Sequence, residues 1–367
     1  MKRKHNIRKI FILFPIFIVL LSLTESTTAI PLASNTTLST QPPELPPAAY
    51  CGTIPYTSIQ EAINNAPRNA TVTILPGTYT EIITINKSII LQGDTPETTI
   101  LAPTSEKNSY AIKITAEGVT LTGFTVVNNA EGLYATGIKI TKAHTTITHC
   151  TFRDTPIGIA VWSSYNTISQ CTFLNCGDEG IALLGSNTSA CDDTHITSCI
   201  FSQTCDGIEL QRSSNNFIED CRFSDNTHAG IDIIESANTK NTISRCEFSS
   251  NQGFGLYCAG ASQLLITHCS FSTDSITLVK SKGNTITASS VAAIQLLQNS
   301  SLIIDQCDNV DESHIITQAS HYELLPVHHQ LKESHNKTSS QHTILTTLLS
   351  RLHIIQLFYR ELAQLRM

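Results

Sequence analysis

The chain has 367 residues, 41% of them hydrophobic and 14% charged, with a mean hydropathy of +0.01. A net charge of −7 and a pI near 6.0 supply no electrostatic basis for nucleic-acid binding. The length would suit two globular domains, but from about residue 137 to residue 271 the chain repeats itself every twenty-odd residues, which makes it one continuous body.

Met1–Lys9 carries Lys2, Arg3, Lys4, Arg8 and Lys9. The run Ile10–Leu23 is apolar apart from Pro15 and Ser22, and small residues follow at Thr27 and Ala29. This order predicts a secretory signal over 1–29, too short for a comfortable membrane span, and hence an extracellular or cell-surface protein. Residues 30–50, with Q-P-P-E-L-P-P, read as an extended linker.

The folded body is predicted over 51–312. It opens with Y-T-S-I-Q-E-A-I-N-N-A-P (56–67), where Ser58 and Glu61 have capping-box spacing and Ile59, Ala62, Ile63 and Ala66 share a face, so a short helix is expected. The runs T-V-T-I-L-P-G-T-Y-T-E (71–81), I-I-T-I-N-K-S-I-I-L-Q-G (82–93) and T-T-I-L-A-P (98–103) are β-branched and punctuated by Gly and Pro, as strands are.

The repeats then follow in order. I-T-H-C-T-F (147–152) leads to G-I-A-V (158–161), I-S-Q-C-T-F (168–173) to G-I-A-L (180–183), and I-T-S-C-I-F (196–201) to G-I-E-L (207–210). I-E-D-C-R-F (218–223) leads to G-I-D-I (230–233), I-S-R-C-E-F (243–248) to G-L-Y-C (255–258), and I-T-H-C-S-F (266–271) to S-I-T-L (275–278). Strand alternation turns the Ile and Leu of G-I-x-L inward and x outward. The outward column is then Lys113, Lys139, Ala160, Ala182, Glu209, Asp232, Tyr257, Thr277 and Gln295, about 4.8 Å apart from rung to rung. A second column holds Cys150, Cys171, Cys199, Cys221, Cys246, Cys269, Ser289 and Cys307, with Phe124 at its head. One thiol per rung lacks the tight C-x-x-C pairs of a zinc site and reads as a small buried hydrophobe. Cys176 and Cys205, in bends of adjacent rungs, are placed for a disulfide in an oxidising compartment.

The opening order S-I-Q-E-A-I-N-N-A-P, V-T-I-L-P-G-T-Y-T-E, I-N-K-S-I-I-L-Q-G, continued by the repeats, resembles NosD-like and pectin-lyase-like proteins over about residues 56–310. The resemblance implies an all-β fold, a right-handed parallel β-helix (solenoid) whose N-terminal end is covered by the capping helix. Residues 313–342, with His314, His321, His328, His329, His335 and His342, are expected to be a His-rich linker. Residues 343–367 are expected to form an amphipathic C-terminal helix with Leu345, Leu348, Leu349, Leu352, Ile355 and Leu362 on one stripe. That helix would cover the C-terminal end, while Arg351, Arg360 and Arg366 leave a membrane or partner contact open.

Candidate chemistry gathers on one stretch of the outward face. Asp178, Glu179, Asp206, Asp225 and His228 stand in the bends before G-I-x-L strands, and Glu209 and Asp232 occupy adjacent outward positions. Arg212 and Glu235 follow their strands, and a longer loop brings Asp192 and Asp193 to the same face. Carboxylates within roughly 5–10 Å of one another cannot all ionise cheaply, which suits a general acid. Hard oxygen donors at Glu209 and Asp232 leave Ca²⁺ open as a ligand, though no cofactor is required. Without any chemistry, the same residues read as a solvated polar wall. In the resembled enzymes the substrate groove runs along this strand. G-D-E-G-I-A-L (177–183) looks like the acidic rung of polygalacturonases, which implies acid and base work for Asp178 and Glu179. Those enzymes place His-Gly one rung later, where this chain has Cys205-Asp206-Gly207, and His228 arrives a rung further on. Arg212 is the candidate base if the reaction resembles that of calcium-dependent lyases. Aromatic platforms for sugar stacking are sparse on this face, limited to Tyr257 with Trp162 and Tyr165, which argues for polar or acidic sugar contacts.

A long repetitive groove suits a long repetitive ligand, so the expected partner is a polysaccharide or other glycan, bound by a monomer and cleaved or epimerised by a hydrolase, lyase or epimerase. Two other classes stay open. One is a non-enzymatic surface scaffold or adhesion module. The other, implied by resemblance alone, is a NosD-like copper-delivery accessory role, for which two Met and inward cysteines are few accessible ligands.

Overall fold

Each repeat folds as one rung of three strands joined by tight bends. Thr167–Ser169, Thr172–Leu174 and Glu179–Leu184 are one such rung, and His195–Thr197 begins the next. The computed structural model describes residues 45–325 apart from 104–106, 108, 133 and 236–237. The signal expected over 1–29, most of the 30–50 linker and the helix expected over 343–367 lie outside the described residues.

The first strands of the rungs, from Thr71–Ile74 to His321–Leu324, stack in parallel within a 14-stranded sheet. At its N-terminal edge Ala49–Cys51 pairs antiparallel with both Thr71–Ile74 and Ile54–Tyr56. The second and third strands stack into a 19-stranded sheet. Pairing is in register by repeat position, so the chain is a parallel β-solenoid of about 11 turns.

Stacked identical side chains hold the rungs together. Phe152, Phe173, Phe201, Phe223, Phe248 and Phe271 form one fully buried pile with ring centroids 4.3–4.9 Å apart. Offset or stacked aromatic pairs at this spacing add to the area each ring buries. The glycine of G-I-x-L is required by this pile. A Cβ at Gly207 would sit 2.6 Å from Cδ1 of Phe223 and closer still to the carbonyl oxygen of Gly230. The cysteine column is buried as expected, each thiol donating to the carbonyl two residues back, as Cys221 does to Glu219 at 3.1 Å. Cys176 and Cys205 are free thiols, not the expected disulfide, although the Cys205 amide donates to the Cys176 carbonyl at 3.2 Å.

The bends before the Cys column use left-handed residues that are not glycine: His149, Gln170, Ser198, Asp220, Arg245 and His268 all have φ between 52° and 54°. Such a conformation costs roughly 1–2 kcal/mol for a residue with a Cβ. Its amide is turned to the next rung, as Ser198 N–H to the Glu219 carbonyl at 3.0 Å, which offsets the strain. Two asparagine ladders, absent from the sequence-based reading, stitch other bends. Asn216 donates to Asn241 at 2.9 Å, and Asn226 to Asn251 at 2.8 Å.

The short helix is Ile59–Asn65, with Ser58 as N-cap and Ile59, Ala62 and Ile63 buried against the first strands. The partner of its first turn is not only Glu61. The Glu81 carboxylate accepts from the Ser58 hydroxyl and from the Ile59 and Gln60 amides at 2.6, 2.8 and 3.0 Å. At the other end the solenoid runs past the expected boundary at 312. Ile315–Gln318 pairs with the strand Ser290–Leu297, and His321–Leu324 pairs with Ser301–Asp305. I-I-T-Q and H-Y-E-L carry the β-branched alternation of another rung, which the histidine count of the segment hides.

Candidate functional site

The outward column has the expected register. Lys113 pairs with Lys139, and the column continues through Ala160, Ala182, Glu209, Asp232, Tyr257, Thr277 and Gln295. It is not the solvated wall that alternation alone suggests. Glu209 is 3% exposed and Asp232 is fully buried. Ile157, Ala160 and Ala182 form a separate small apolar cluster against Trp162 and Leu184, and His228, Phe254 and Tyr257 crowd the next rungs.

At the centre stands His228, in the bend that precedes Ala229–Ile234. Its backbone N–H is held by the Cys205 carbonyl at 2.9 Å. Its Nδ1 lies 2.7 Å from Oδ1 of Asp206 and 3.8 Å from Oδ2 of Asp232. The same Asp206 oxygen accepts the Ala229 amide at 2.9 Å, which fixes that carboxylate. Phe254 meets the imidazole edge-on at 5.7 Å, and Tyr257 lies 6.3 Å away by ring centroid. Burial pulls the imidazole pKa down, but the hydrogen bond to Asp206 and the charges of Asp206, Asp232 and Glu209 outweigh it and raise it to about 9. At neutral pH the ring is therefore an imidazolium. Burial, with the charges of Asp232 and Cys258, pushes the Tyr257 phenol up to about 12, so it too keeps its proton.

Glu179 lies in register with Asp206, one rung before, and is buried. The structure thus brings Glu179, Asp206, Glu209, His228, Asp232 and Tyr257 onto four adjacent rungs. Asp178 is half-buried at their margin, where its carbonyl accepts the Asp206 amide at 2.9 Å. The other expected residues do not join them. Arg212 sits past the end of its strand, about 10 Å along the backbone from Glu209, and its guanidinium is ion-paired to Glu235 at 2.5 Å and donates to Asn187 at 2.7 Å. Asp192 accepts the Ser214 amide at 2.7 Å, and Asp193 is a left-handed bend residue with φ 54°. Both belong to the turn leading into the first sheet, where the Asp192 carboxylate and the Asp193 amide, which donates to the Ser214 carbonyl at 3.2 Å, serve the rung connection. Sequence spacing could not separate these two sides of the strand, because bend residues before and after it lie equally near in number.

Asp206, His228 and Asp232 each offer a donor atom within 4.8 Å of the others, a set able to hold a divalent ion through one nitrogen and two oxygens. Ten of the twelve thiols are buried, Cys51 and Cys205 being the partly exposed ones. The sequence-based reading missed Phe254 as a wall of the site, and it missed the pairing of Lys139 with Trp162, whose ring the ammonium overlies at 4.6 Å. The single tryptophan two residues past an outward position was the available signal.

Residues 110–271 match the family model described as the right handed beta helix region. A comparison with curated proteins finds no match. Among solved structures, ORF18 of Geobacillus virus E2 is similar with a TM-score of 0.51 and 16% identity over 72% of this chain, which spans 56% of that one. The A-module of the Azotobacter vinelandii mannuronan C-5 epimerase AlgE4 is similar with a TM-score of 0.50 and 15% identity, covering 77% of this chain and 95% of that chain. A point mutant of the PL6 family alginate lyase AlyGC has a TM-score of 0.50 and 12% identity over 74% and 52% of the two chains. The fold is that of the right-handed parallel β-helix, similar to polysaccharide-acting enzymes, and at these identities the similarity concerns the fold alone.

Proposed function

We propose that this chain is a polysaccharide-acting enzyme whose acid–base centre is His228 with Asp206, Asp232 and Glu209. The observation that carries the reading is the partly buried imidazole held between two carboxylates on the outward strand column. Asp206 orients the ring and keeps it charged, His228 delivers a proton to the glycosidic oxygen as its bond to C1 (hydrolysis) or C4 (elimination) breaks, Glu209 takes the proton of the attacking water or of C5, and the buried Asp232 holds the ring from its other side. Proton delivery of this kind serves hydrolysis and elimination alike. The structural neighbours are named as an alginate epimerase and an alginate lyase, which supports a glycan partner for the same face. A calcium ion at Glu209 and Asp232 is the second reading. The His228 nitrogen amid these oxygens favours proton chemistry over an all-oxygen calcium site. In this proposal the basic and apolar leader carries the protein out of the cytoplasm, and the helix Ile59–Asn65 shields the N-terminal end of the solenoid.

The test is turnover on a panel of neutral and acidic polysaccharides, with and without Ca²⁺, scored by reducing ends and by unsaturated products. Wild type should turn over at least one substrate, and His228→Gln and Asp232→Asn should each lower the rate by about 10²-fold or more. Loss of turnover on chelation, restored by Ca²⁺, would favour the calcium reading. A folded wild type inert on every substrate would leave the scaffold or adhesion role in its place.

A further inference from the structure

The outward column is divided by charge along its length. Towards the N-terminus it carries Lys113 and Lys139, paired in register on adjacent rungs. Their inward neighbours Ile112, Ile114, Ile138 and Ile140 are fully buried, so alternation turns both lysines outward. Neither ammonium is ion-paired with a carboxylate among the described residues. Each lies instead against an aromatic ring, Lys113 over Tyr110 at 5.7 Å and Lys139 over Trp162 at 4.6 Å. Two small residues follow, Ala160 and Ala182, edged by Trp162 and Leu184. Then come Glu209 and Asp232, with Glu179 and Asp206 beside them and one imidazolium among the four carboxyl groups.

Lys139 is three register steps from Glu209 and four from Asp232, roughly 14–19 Å at about 4.8 Å per rung. A polymer with a carboxylate on every sugar would satisfy the lysines but place anionic groups against the acidic rungs, where burial magnifies repulsion. A neutral polymer would fit the acidic rungs and leave the lysines unused. Building on the reading of the column as a polysaccharide groove, we infer that its ligand is a charge-segregated heteropolysaccharide. An acidic sugar is held by Lys113 and Lys139, neutral sugars cross Trp162 and Leu184, which pack over the buried Ala160 and Ala182, and a neutral sugar lies at His228. The two lysines determine specificity and do not touch the reacting atoms.

Binding of three probes to the full chain tests this: deacylated gellan oligosaccharides (one glucuronate per four sugars), polygalacturonate oligosaccharides and dextran oligosaccharides. Gellan should bind roughly tenfold or more tightly than either of the others, each charge-assisted contact being worth about that factor. Lys113→Met/Lys139→Met should erase the preference, whereas Lys142→Met, at an exposed lysine in the following bend, should keep it. The fluorescence of Trp162 and the unfolding midpoint check that the double variant is folded. Polygalacturonate binding as tightly as gellan, or a folded double variant binding gellan like wild type, overturns the inference. If dextran is bound and turned over without any dependence on the lysines, the charge-segregated ligand is wrong and the acid–base centre stands. No binding of any probe removes both.

Discussion

The raised pKa of His228 makes folding stability depend on pH in a way that can be isolated. The imidazole has an ordinary value of 6.5 and about 9 in the folded chain. A group whose folded pKa is raised stabilises fully below its unfolded pKa, and that stability is lost as pH rises through the folded value. The shift is worth about 3 kcal/mol, of which about 2 kcal/mol is lost between pH 6 and pH 8. The buried thiols lose stability in the same direction, because their folded pKa values are raised while unfolded cysteines ionise near pH 8.5. Urea unfolding of wild type and His228→Gln at pH 6, 7 and 8, followed by Trp162 fluorescence, separates the two contributions. Wild type should lose about 2 kcal/mol more than the variant over this interval. Parallel pH dependences would show that His228 is not held as an imidazolium, and the acid role would go with it.

Other expected outcomes follow from the same contacts. Asp206→Asn removes the hydrogen-bonding carboxylate and lets burial count for more, so the His228 titration midpoint, read from its imidazole NMR signals, should fall well below 9. Gly207→Ala places a methyl group against Phe223 and the Gly230 carbonyl and should cost about 3 kcal/mol or more in urea unfolding. Glu81→Gln weakens three hydrogen bonds at the start of the helix Ile59–Asn65 and should cost about 1 kcal/mol, measured in the same way.

The repeat made the solenoid legible. Cys and Phe recur at one spacing because identical rungs present identical environments, and the structure stacks them in that order. The outward column was legible for the same reason, down to its register. Burial of the column was not. It depends on side chains that pack over the strand, as Trp162 and Leu184 do over Ala160 and Ala182. The Arg212–Glu235 ion pair escaped the reading because both residues follow their strands, where sequence distance carries no sign of which side a side chain takes. The last rung was masked by composition: histidines at 314 and 321 suggested a linker, while the β-branched alternation around them was that of a strand.

The repeats also supply an internal control for the acidic rungs. Positions equivalent to Glu209 are filled by Ala160 and Ala182 before it and by Thr277 further along, each buried, each in the same register. The solenoid therefore does not need a carboxylate there, and burying one works against folding unless hydrogen bonds and charges compensate. A buried carboxylate that the neighbouring rungs do without is expected where function keeps it. Glu209→Ala gives this rung the residue that Ala182 supplies at the equivalent position of the preceding rung. Its unfolding free energy should fall by no more than about 2 kcal/mol, the part due to the charge facing His228, while polysaccharide turnover falls. A loss of more than about 2 kcal/mol would assign Glu209 to holding the rungs together, and unchanged turnover in the folded variant would take it out of the acid–base centre.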